Sequence, residues 1–368
     1  MSLSLLIQTS HRYGADEEYV LAGGGNTSYK ENGVMYVKGS GTALATIAEE
    51  QFVKMDMSKL SAMLTKSYPA DDDAREAEAL VDMMAARLPG EENKRPSVEA
   101  ILHAIFPQKF VFHTHPAIVN GLSCGKNGAE DFQSIFGETA VWVPLTKPGY
   151  ILATVCRDLF NKHRAATGKP PEIVILQNHG LFIAADNADE IAVLTDKVIG
   201  KLKNQIAKTP DFSEISLDAD ATRETAFVLQ ALYSENGKAV FCTNKQTAEF
   251  VTDESSMREL IKPFTPDHIV YCKHTPIFLE QGENHRKKFD DYKKAYGFAP
   301  KIATVKGLGF FALGQNEKEA GTAKLLFLDA MKVAVYTRSF GGVNPLPDGY
   351  VNFILNWEAE RYRQKEAF

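Results

Sequence analysis

The stretch that decides the fold is Phe110-Val111-Phe112-His113-Thr114-His115-Pro116. Its apolar first half predicts a buried strand over residues 110–115. A strand places residues i and i+2 on the same face, so His113 and His115 project together. Two imidazoles on one strand can bind a single metal ion at about 2.0–2.1 Å each. On its own, an H-x-H pair is more typical of surface or packing histidines.

A second apolar strand, Ile173 to Leu176, leads into Gln177-Asn178-His179-Gly180 and then into a further strand over residues 181–185. His179 therefore follows directly on a strand end, where α/β proteins assemble their sites. Three neutral imidazoles leave an open coordination position, which catalytic zinc requires and structural zinc does not. Together the three histidines predict a catalytic metal site.

A predicted helix that opens at Ser97-Val98-Glu99 leads into the histidine strand. Ser97 is a suitable N-cap, and apolar residues recur behind it at helical spacing. Glu99 has two interpretations. It is a first-turn glutamate favoured by the helix dipole, or it is a carboxylate near the metal that moves protons. His103, further along this helix, has no partner pattern and is interpreted as a packing residue.

A glycine-rich segment, Gly23-Gly24-Gly25-Asn26-Thr27-Ser28, precedes a predicted hairpin that turns at Glu31-Asn32-Gly33 and ends in Lys38-Gly39-Ser40-Gly41. Glycines allow backbone amides to approach a ligand closely, and hydroxyls and a lysine complete an anion cradle. The spacing is not that of a P-loop, so nucleotide binding is not supported. A simple turn is the alternative.

The remaining pattern alternates helices and strands and predicts an α/β protein with two domains, residues 1–210 and 223–368, joined by a polar, acidic linker over residues 209–222. In the second domain the pattern predicts helices and strands at 223–235, 239–243, 268–273, 285–296, 302–313, 317–338 and from about 350.

The second domain is possibly a degenerate duplicate of the first. Phe110 to Pro116 resembles Ile269 to Pro276, and Gly180 to Ala184 resembles Gly309 to Leu313. In that alignment Leu308 stands in place of His179, and Cys272 stands in place of His113. The second copy would then lack the metal ligands. Chance similarity between two α/β units is the alternative.

The bulk composition excludes several classes of protein. The chain has 368 residues, 44% of them hydrophobic, and a net charge of −6 without clustered lysines and arginines. These values argue against nucleic-acid binding and against a polybasic membrane surface. No apolar run has the length of a membrane span, and the first residues lack the pattern of a signal peptide. The four cysteines are widely spaced, at Cys124, Cys156, Cys242 and Cys272. This spacing predicts reduced thiols and hence a cytoplasmic protein.

Over roughly residues 5–205 the chain resembles the class II aldolase/adducin family. The resemblance rests on five motifs in the family's order: G-G-N-T-S at 24–28, K-G-S-G at 38–41, P-S-V-E at 96–99, H-T-H-P at 113–116 and Q-N-H-G-L at 177–181. It implies a three-layer α/β/α domain with a central, mostly antiparallel sheet. It also implies a homo-oligomer, dimer or tetramer, that acts on a small phosphorylated sugar.

The resemblance also implies roles for individual residues. His113, His115 and His179 correspond to the ligands of Zn²⁺, for which Mn²⁺ or Co²⁺ can substitute. Glu99 corresponds to the catalytic acid/base. The phosphate cradle corresponds to Gly25, Asn26, Lys38, Ser40, Gly41 and Ser97.

Three features depart from the family pattern or divide its members. Val98 stands where a second serine usually follows the first. The family's aldolases use a tyrosine from a neighbouring subunit as proton donor, but Leu145 stands at that position, and Tyr150 is the substitute that the sequence offers. Glu99 favours an aldolase, since epimerases typically have aspartate there, whereas Lys38 resembles the epimerase K-P-S-G motif.

The reaction implied is retro-aldol cleavage of a ketose 1-phosphate to dihydroxyacetone phosphate and a short aldehyde. The alternatives are a sugar-phosphate 4-epimerase with the same metal site, a non-catalytic adducin-like interaction protein, and a metal-dependent hydrolase.

Overall fold

In the computed structural model the described residues are 2–216, 219–359 and 362. They form two compact units. The first contains residues 2–123 and 127–205, and the second contains residues 124–126 and the described residues from 206 onward. Of the predicted linker, residues 217–218 lie outside the described part, and a helix already begins at Ala219.

The strands of the first unit are β1 (Asn26–Glu31), β2 (Val34–Lys38), β3 (Phe52–Asp56), β4 (Phe110–Thr114), β5 (Val141–Val143), β6 (Ile173–Leu176) and β7 (Gly180–Ala185). Its helices are α1 (Ser2–Gly14), α2 (Met57–Met63), α3 (Asp72–Ala85), α4 (Ala100–Ile105), α5 (Ala117–Ser123), α6 (Gly128–Phe136), α7 (Tyr150–Thr167) and α8 (Ala188–Lys203).

The β1–β2 hairpin forms where the sequence predicts it. Asn32 and Gly33 both have positive φ angles, 51° and 77°, which a tight hairpin turn requires. β3 and α6 are absent from the sequence-based prediction. The short strand β3 lies at the edge of the sheet, next to β2.

Among the described residues seven strands form the sheet of the first unit, in the order β3-β2-β1-β4-β7-β6-β5. Every neighbouring pair is antiparallel except β5 and β6. This confirms the prediction of a central, mostly antiparallel sheet. β4, which carries the H-x-H pair, is the middle strand.

Helices cover both faces of this sheet. On one face, side chains of α4 and α7 such as Leu102, Phe106 and Phe160 pack in one buried cluster with Val111 of β4 and Phe182 of β7. On the other face α1, α5 and α8 pack against the strands and against one another. The first unit is therefore the predicted three-layer α/β/α domain.

In the second unit the strands are β8 (Lys238–Cys242), β9 (Ile277–Leu279), β10 (Ile302–Val305) and β11 (Gly309–Gly314). The helices are α9 (Ala219–Tyr233), α10 (Lys245–Phe250), α11 (Pro266–Cys272), α12 (His285–Tyr296), α13 (Glu317–Thr337) and α14 (Asp348–Asn356). The strand order is β8-β11-β10-β9, with β9 and β10 parallel.

The strand predicted over residues 268–273 is wrong, because this segment is helix α11. Thr265 caps the helix by accepting a hydrogen bond from the backbone N–H of His268, and Pro266 occupies the first turn. The apolar residues of this helix are buried, so their run has no helical periodicity, and run length alone cannot separate a buried helix from a buried strand.

The second unit repeats part of the first. The order β8-β11-β10-β9 corresponds in order and direction to β4-β7-β6-β5. The β6–β7 and β10–β11 hairpins have the same loop geometry, with positive φ at Asn178 (55°) and at Gly307 (68°). The helices that follow are also capped alike, because Asn187 and Asn316 each accept a hydrogen bond from a backbone N–H three residues later.

The strand register corrects one predicted correspondence. Thr114 pairs with Leu181, and Cys242 pairs with Phe310 at the equivalent place in the second sheet. Thr114 therefore corresponds to Cys242, and His113, one residue before Thr114, corresponds to Phe241. Cys272 is not the counterpart of His113.

Within the described segments, no helix combines the length and the apolar character that crossing a membrane requires.

Candidate metal and acid–base site

The three predicted histidines converge in the structure. The Nε2 atom of His113 lies 2.9 Å from Nε2 of His115 and 3.4 Å from Nε2 of His179. One ligand atom from each residue lies within 4.8 Å of the others. In a tetrahedral zinc site with bonds of about 2.0–2.1 Å, ligand atoms are about 3.3–3.4 Å apart, so the cluster needs little adjustment to bind a metal.

The donor chemistry of His113 also fits a metal ligand. Its ring is fully buried, stacks on Phe182 with a centroid distance of 4.1 Å, and has Nδ1 3.0 Å from the carbonyl oxygen of Leu181. Burial holds the pKa of His113 well below its usual value, so the ring is neutral at physiological pH. Donation from Nδ1 to the carbonyl leaves the Nε2 lone pair for the metal, the usual outer-shell arrangement.

The β6–β7 hairpin positions His179 through backbone geometry. Asn178 has a φ of 55° and donates its N–H to the carbonyl of Ser123. Gly180, the next residue after His179, is packed so closely that a Cβ there would lie 2.6 Å from Cδ2 of His115 and 2.7 Å from the carbonyl oxygen of Thr114. Any larger residue at position 180 would displace these atoms, so the position requires glycine.

Glu99 faces the histidines. Its Oε2 lies 3.4 Å from Nε2 of His113, and its Oε1 lies 3.6 Å from Nε2 of His179. Asn26 donates its Nδ2–H to Oε2 at 2.6 Å. Oε1 is buried and has no hydrogen-bond partner in the part of the chain that the structure describes. The carboxylate thus has one oxygen held and one directed toward the metal-ligand atoms.

The environment of Glu99 keeps it ionised. Burial raises the pKa of its carboxyl, but electrostatic interaction with His113 and His179 and the hydrogen bond from Asn26 outweigh burial and lower the pKa to about 2. A carboxylate with one oxygen directed toward the ligand atoms can accept a proton and return it.

Ser97 connects Glu99 to the glycine-rich loop. The backbone N–H of Ser97 donates to the carbonyl of Lys38. Its Oγ accepts a hydrogen bond from the backbone N–H of Glu99 at 3.3 Å. Helix α4 begins only at Ala100, with Glu99 in the N-cap position. The helix therefore starts later than the sequence predicts, and Ser97 stabilises the turn before it.

The predicted cradle residues lie next to this site. Asn26 contacts Glu99 directly, and Gly25 has a φ of 63° and lies so close to β4 that a Cβ would meet the carbonyl oxygen of His113 at 2.7 Å. Gly41 also has a positive φ, 82°, and the N–H of Ser40 donates to the carbonyl of Arg95. Gly25, Ser40, Gly41 and Ser97 thus belong to one connected set of loops.

Lys38, another predicted cradle residue, lies against the glycine-rich loop. Its side chain is buried, and its Nζ donates to the carbonyl oxygens of Gly23 and Gly25, each at 3.0 Å. Lys38 therefore stabilises the glycine-rich loop, and its contact with a phosphate stays a prediction.

Tyr150 is buried in a cluster with α2 and α3, where its hydroxyl lies 3.1 Å from the carbonyl of Met63 and 3.2 Å from that of Lys66. Since a hydroxyl has a single proton, its donation to these carbonyls is a structural contact. The catalytic role of Tyr150 stays a prediction.

His103 was missed by sequence reasoning. It is fully buried, its Nδ1 lies 2.7 Å from Oγ of Ser28, and its Nε2 makes a short contact with Oδ1 of Asn26. The signal that could have found it was its spacing, since His103 follows Glu99 by one helical turn on the same face.

Comparisons with known proteins agree with this architecture. The model of the class II aldolase and adducin N-terminal domain family matches residues 4–199. A curated relative from Bacillus subtilis (strain 168), described as the uncharacterized oxidoreductase YuxG, is 23% identical over 406 aligned positions, which cover 97% of this chain and 57% of the relative. The chain thus spans less than two thirds of that relative's length.

Among solved structures, the N-terminal class II aldolase domain of a conserved protein from Thermoplasma acidophilum is 26% identical, with a TM-score of 0.47 over 55% of this chain and 93% of that one. An L-fuculose 1-phosphate aldolase is 17% identical, with a TM-score of 0.37 over 62% of this chain and 98% of that one. YgbL from Klebsiella pneumoniae, described as a putative aldolase/epimerase/decarboxylase, is 17% identical, with a TM-score of 0.39 over 61% and 99%.

Proposed function

Since this chain belongs to the class II aldolase and adducin N-terminal domain family, we propose that it is a metal-dependent aldolase. The substrate class is a small ketose 1-phosphate, cleaved to dihydroxyacetone phosphate and a short aldehyde. One observation carries the proposal: the free Oε1 of Glu99 lies 3.6 Å from Nε2 of His179, beside three convergent imidazoles.

His113, His115 and His179 would hold the metal, and zinc suits a set of three neutral imidazoles best. When bound, a divalent ion at this position polarises the substrate carbonyl and stabilises negative charge as the carbon–carbon bond breaks. In the second unit, counterparts of two of these histidines are Phe241 and Leu308, so the proposal places one metal ion in each chain.

Glu99 performs the proton transfer. When the bond between C3 and C4 of the ketose breaks, C3 needs a proton to become the hydroxymethyl carbon of dihydroxyacetone phosphate. Oε1 of Glu99 would accept the proton of the C4 hydroxyl as C4 becomes the aldehyde carbon, and would deliver this proton to C3. In the synthetic direction the same oxygen would take the proton from C3 and return it to the aldehyde oxygen. The hydrogen bond from Asn26 holds the other oxygen and so fixes the direction of the free one.

The loops around Gly25, Gly41 and Ser97 would bind the phosphate group. Backbone amides at positive-φ glycines and the Ser40 hydroxyl are suitable donors to phosphate oxygens. Anchoring the phosphate away from the breaking bond positions the reacting carbons relative to Glu99. Lys38 contributes indirectly, because it holds the carbonyls of Gly23 and Gly25.

The test combines metal analysis with product analysis. The purified protein, supplied with zinc, manganese or cobalt, is incubated with a set of ketose 1-phosphates and ketopentose phosphates, and free triose phosphate and aldehyde are measured. We expect both products, with kcat lowered on the order of 100-fold or more in Glu99→Gln. The exposed Glu190→Gln variant is the matched control and should keep full activity.

The other outcomes separate the alternatives. Inversion at C4 without free aldehyde would identify an epimerase that uses the same site. Absence of metal binding and of stabilisation by metal would favour a non-catalytic interaction protein.

We also propose an even-numbered homo-oligomer, a dimer or a tetramer. Sedimentation at working concentration tests this proposal, and a fully active monomer would contradict it.

A further inference from the structure

A buried chain of polar side chains leads away from Glu99. Asn26 donates Nδ2–H to Oε2 of Glu99 at 2.6 Å, and its Oδ1 meets Nε2 of His103. On the far side of the imidazole, Nδ1 lies 2.7 Å from Oγ of Ser28. All four residues are buried, and His103 and Ser28 are fully so. We call this set the Glu99 relay.

Two regular spacings make the relay possible. Glu99 and His103 are four residues apart at the start of α4, and the N–H of His103 donates to the carbonyl of Glu99 in the first helical turn. Asn26 and Ser28 are two residues apart on β1 and therefore share one face of the sheet. The helical pair and the strand pair interdigitate, so that Asn26 lies between Glu99 and His103.

The hydrogen bond from Asn26 to Glu99 fixes the direction of the other hydrogen bonds in the relay. Asn26 presents its NH₂ group to Oε2 of Glu99, so its Oδ1, which can only accept, faces Nε2 of His103. The neutral imidazole then carries its single proton on Nε2, and its Nδ1 accepts from the hydroxyl of Ser28. Burial lowers the pKa of His103 to about 3, which keeps the ring neutral.

The reverse arrangement is unfavourable. If Nδ1 of His103 carried the proton, Nε2 would accept from the Asn26 amide, and the amide oxygen would face Oε2 of Glu99. Oε2 of Glu99 would then lose the N–H donor that it has in the structure and would be left buried without it, which is destabilising. The N–H donor on Nε2 of His103 therefore prevents the Asn26 amide from rotating by about 180°, which would exchange its oxygen and nitrogen.

We propose that His103 is a positioning residue of the aldol site: through the amide of Asn26 it holds Oε2 of Glu99, so that Oε1 stays directed at the reacting carbon. The inference deepens the proposed function and rests on it. The side chain of His103 contacts Asn26, Ser28 and Phe182, and it reaches Glu99 through Asn26, so its effect falls on the geometry of proton transfer.

The experiment compares three variants of the full chain. His103→Leu removes the donor to Asn26, and His103→Gln offers an amide N–H at a similar reach. His268→Leu is the control for lost stability, because His268 is equally buried and hydrogen-bonded, at 3.0 Å to Asp329, but lies in the second unit. For each variant kcat, KM, bound metal per chain and the unfolding midpoint are measured.

We expect His103→Leu to lower kcat by about 10- to 100-fold with KM and bound metal within about twofold of wild type. His103→Gln should recover most of the lost kcat, and His268→Leu should keep it. Full activity in His103→Leu would overturn the proposal. So would equal losses of kcat in His103→Leu and His268→Leu, since a general loss of stability would then explain both.

A second measurement does not depend on activity. ¹⁵N NMR of the histidine-labelled wild-type protein reports which ring nitrogen of His103 carries the proton, and we expect Nε2. The Nδ1–H form would overturn the relay even in an active enzyme. If no ketose phosphate is cleaved but His103 is the Nε2–H form, the proposed reaction fails while the hydrogen-bond direction in the relay stands.

Discussion

Gly180 and His115 are in such close contact that a Cβ at position 180 would lie 2.6 Å from Cδ2 of the imidazole. The same Cβ would lie 2.7 Å from the carbonyl oxygen of Thr114, which is backbone and cannot rotate away. The closeness of the β4 and β7 strand ends is thus what allows His113, His115 and His179 to converge.

Gly180→Ala is therefore expected to weaken metal binding. The added methyl group must push His115 or the hairpin aside, and we expect metal affinity to fall about 10-fold or more, as outer-shell changes typically do. The matched control is Gly200→Ala, within α8, where the space that a Cβ would fill is open. That variant should be stabilised by about 0.5–1 kcal/mol. Metal titration and urea unfolding measure both effects, and unchanged affinity in Gly180→Ala would contradict the expectation.

Metal removal should destabilise the first unit selectively. A ligand present at about 100 times its Kd stabilises the folded state by about 2.7 kcal/mol, so chelation should lower the unfolding midpoint of this unit by several degrees. His115→Ala should abolish the response to metal, whereas His285→Ala, in the second unit, should retain it. Calorimetry with and without chelator is the measurement. A metal-dependent shift that persists in His115→Ala would place the ion elsewhere.

Much of this site could be predicted because its residues lie in short local patterns. The H-x-H pair follows from the two-residue period of a strand, and His179 follows from an apolar strand that ends before a glycine. Both inferences use only neighbouring residues. The structure adds the distances between strands that are far apart in sequence, which bring the three Nε2 atoms together.

The features that the sequence did not reveal also have physical causes. His103 looks like a packing residue because its partners, Asn26 and Ser28, lie more than 70 positions away. The sequence does not show that Nζ of Lys38 donates to the carbonyls of Gly23 and Gly25, because these contacts join the two ends of the hairpin region. The prediction failed at α11 because a fully buried helix carries no amphipathic period.

The buried Lys30 predicts a pH dependence of stability. Its Nζ donates to the carbonyls of Phe106 and Gln108 at the end of α4, and burial lowers its pKa from 10.5 to about 7. Between these values the unfolded chain binds more protons than the folded chain, so folding stability rises with pH across this window. The contribution of one group is at most about 1.4 kcal/mol per pH unit.

Lys30→Met should lose this contribution. Urea unfolding between pH 7 and pH 9 should show a smaller rise of the unfolding free energy with pH in this variant than in wild type. Lys287→Met, at an exposed lysine paired with Asp291, should behave as wild type. Parallel curves for Lys30→Met and wild type would show that Lys30 keeps an ordinary pKa in the folded protein.

Tyr150→Phe separates a structural tyrosine from a catalytic one. The hydroxyl lies 3.1 Å from the carbonyl of Met63 and 3.2 Å from that of Lys66, so its removal leaves these two acceptors without this donor. We expect a loss of about 1 kcal/mol in unfolding free energy, with kcat within about threefold of wild type. Steady-state kinetics and urea unfolding on the same sample measure the two effects. A loss of kcat by roughly 30-fold with unchanged stability would instead support a catalytic role of Tyr150.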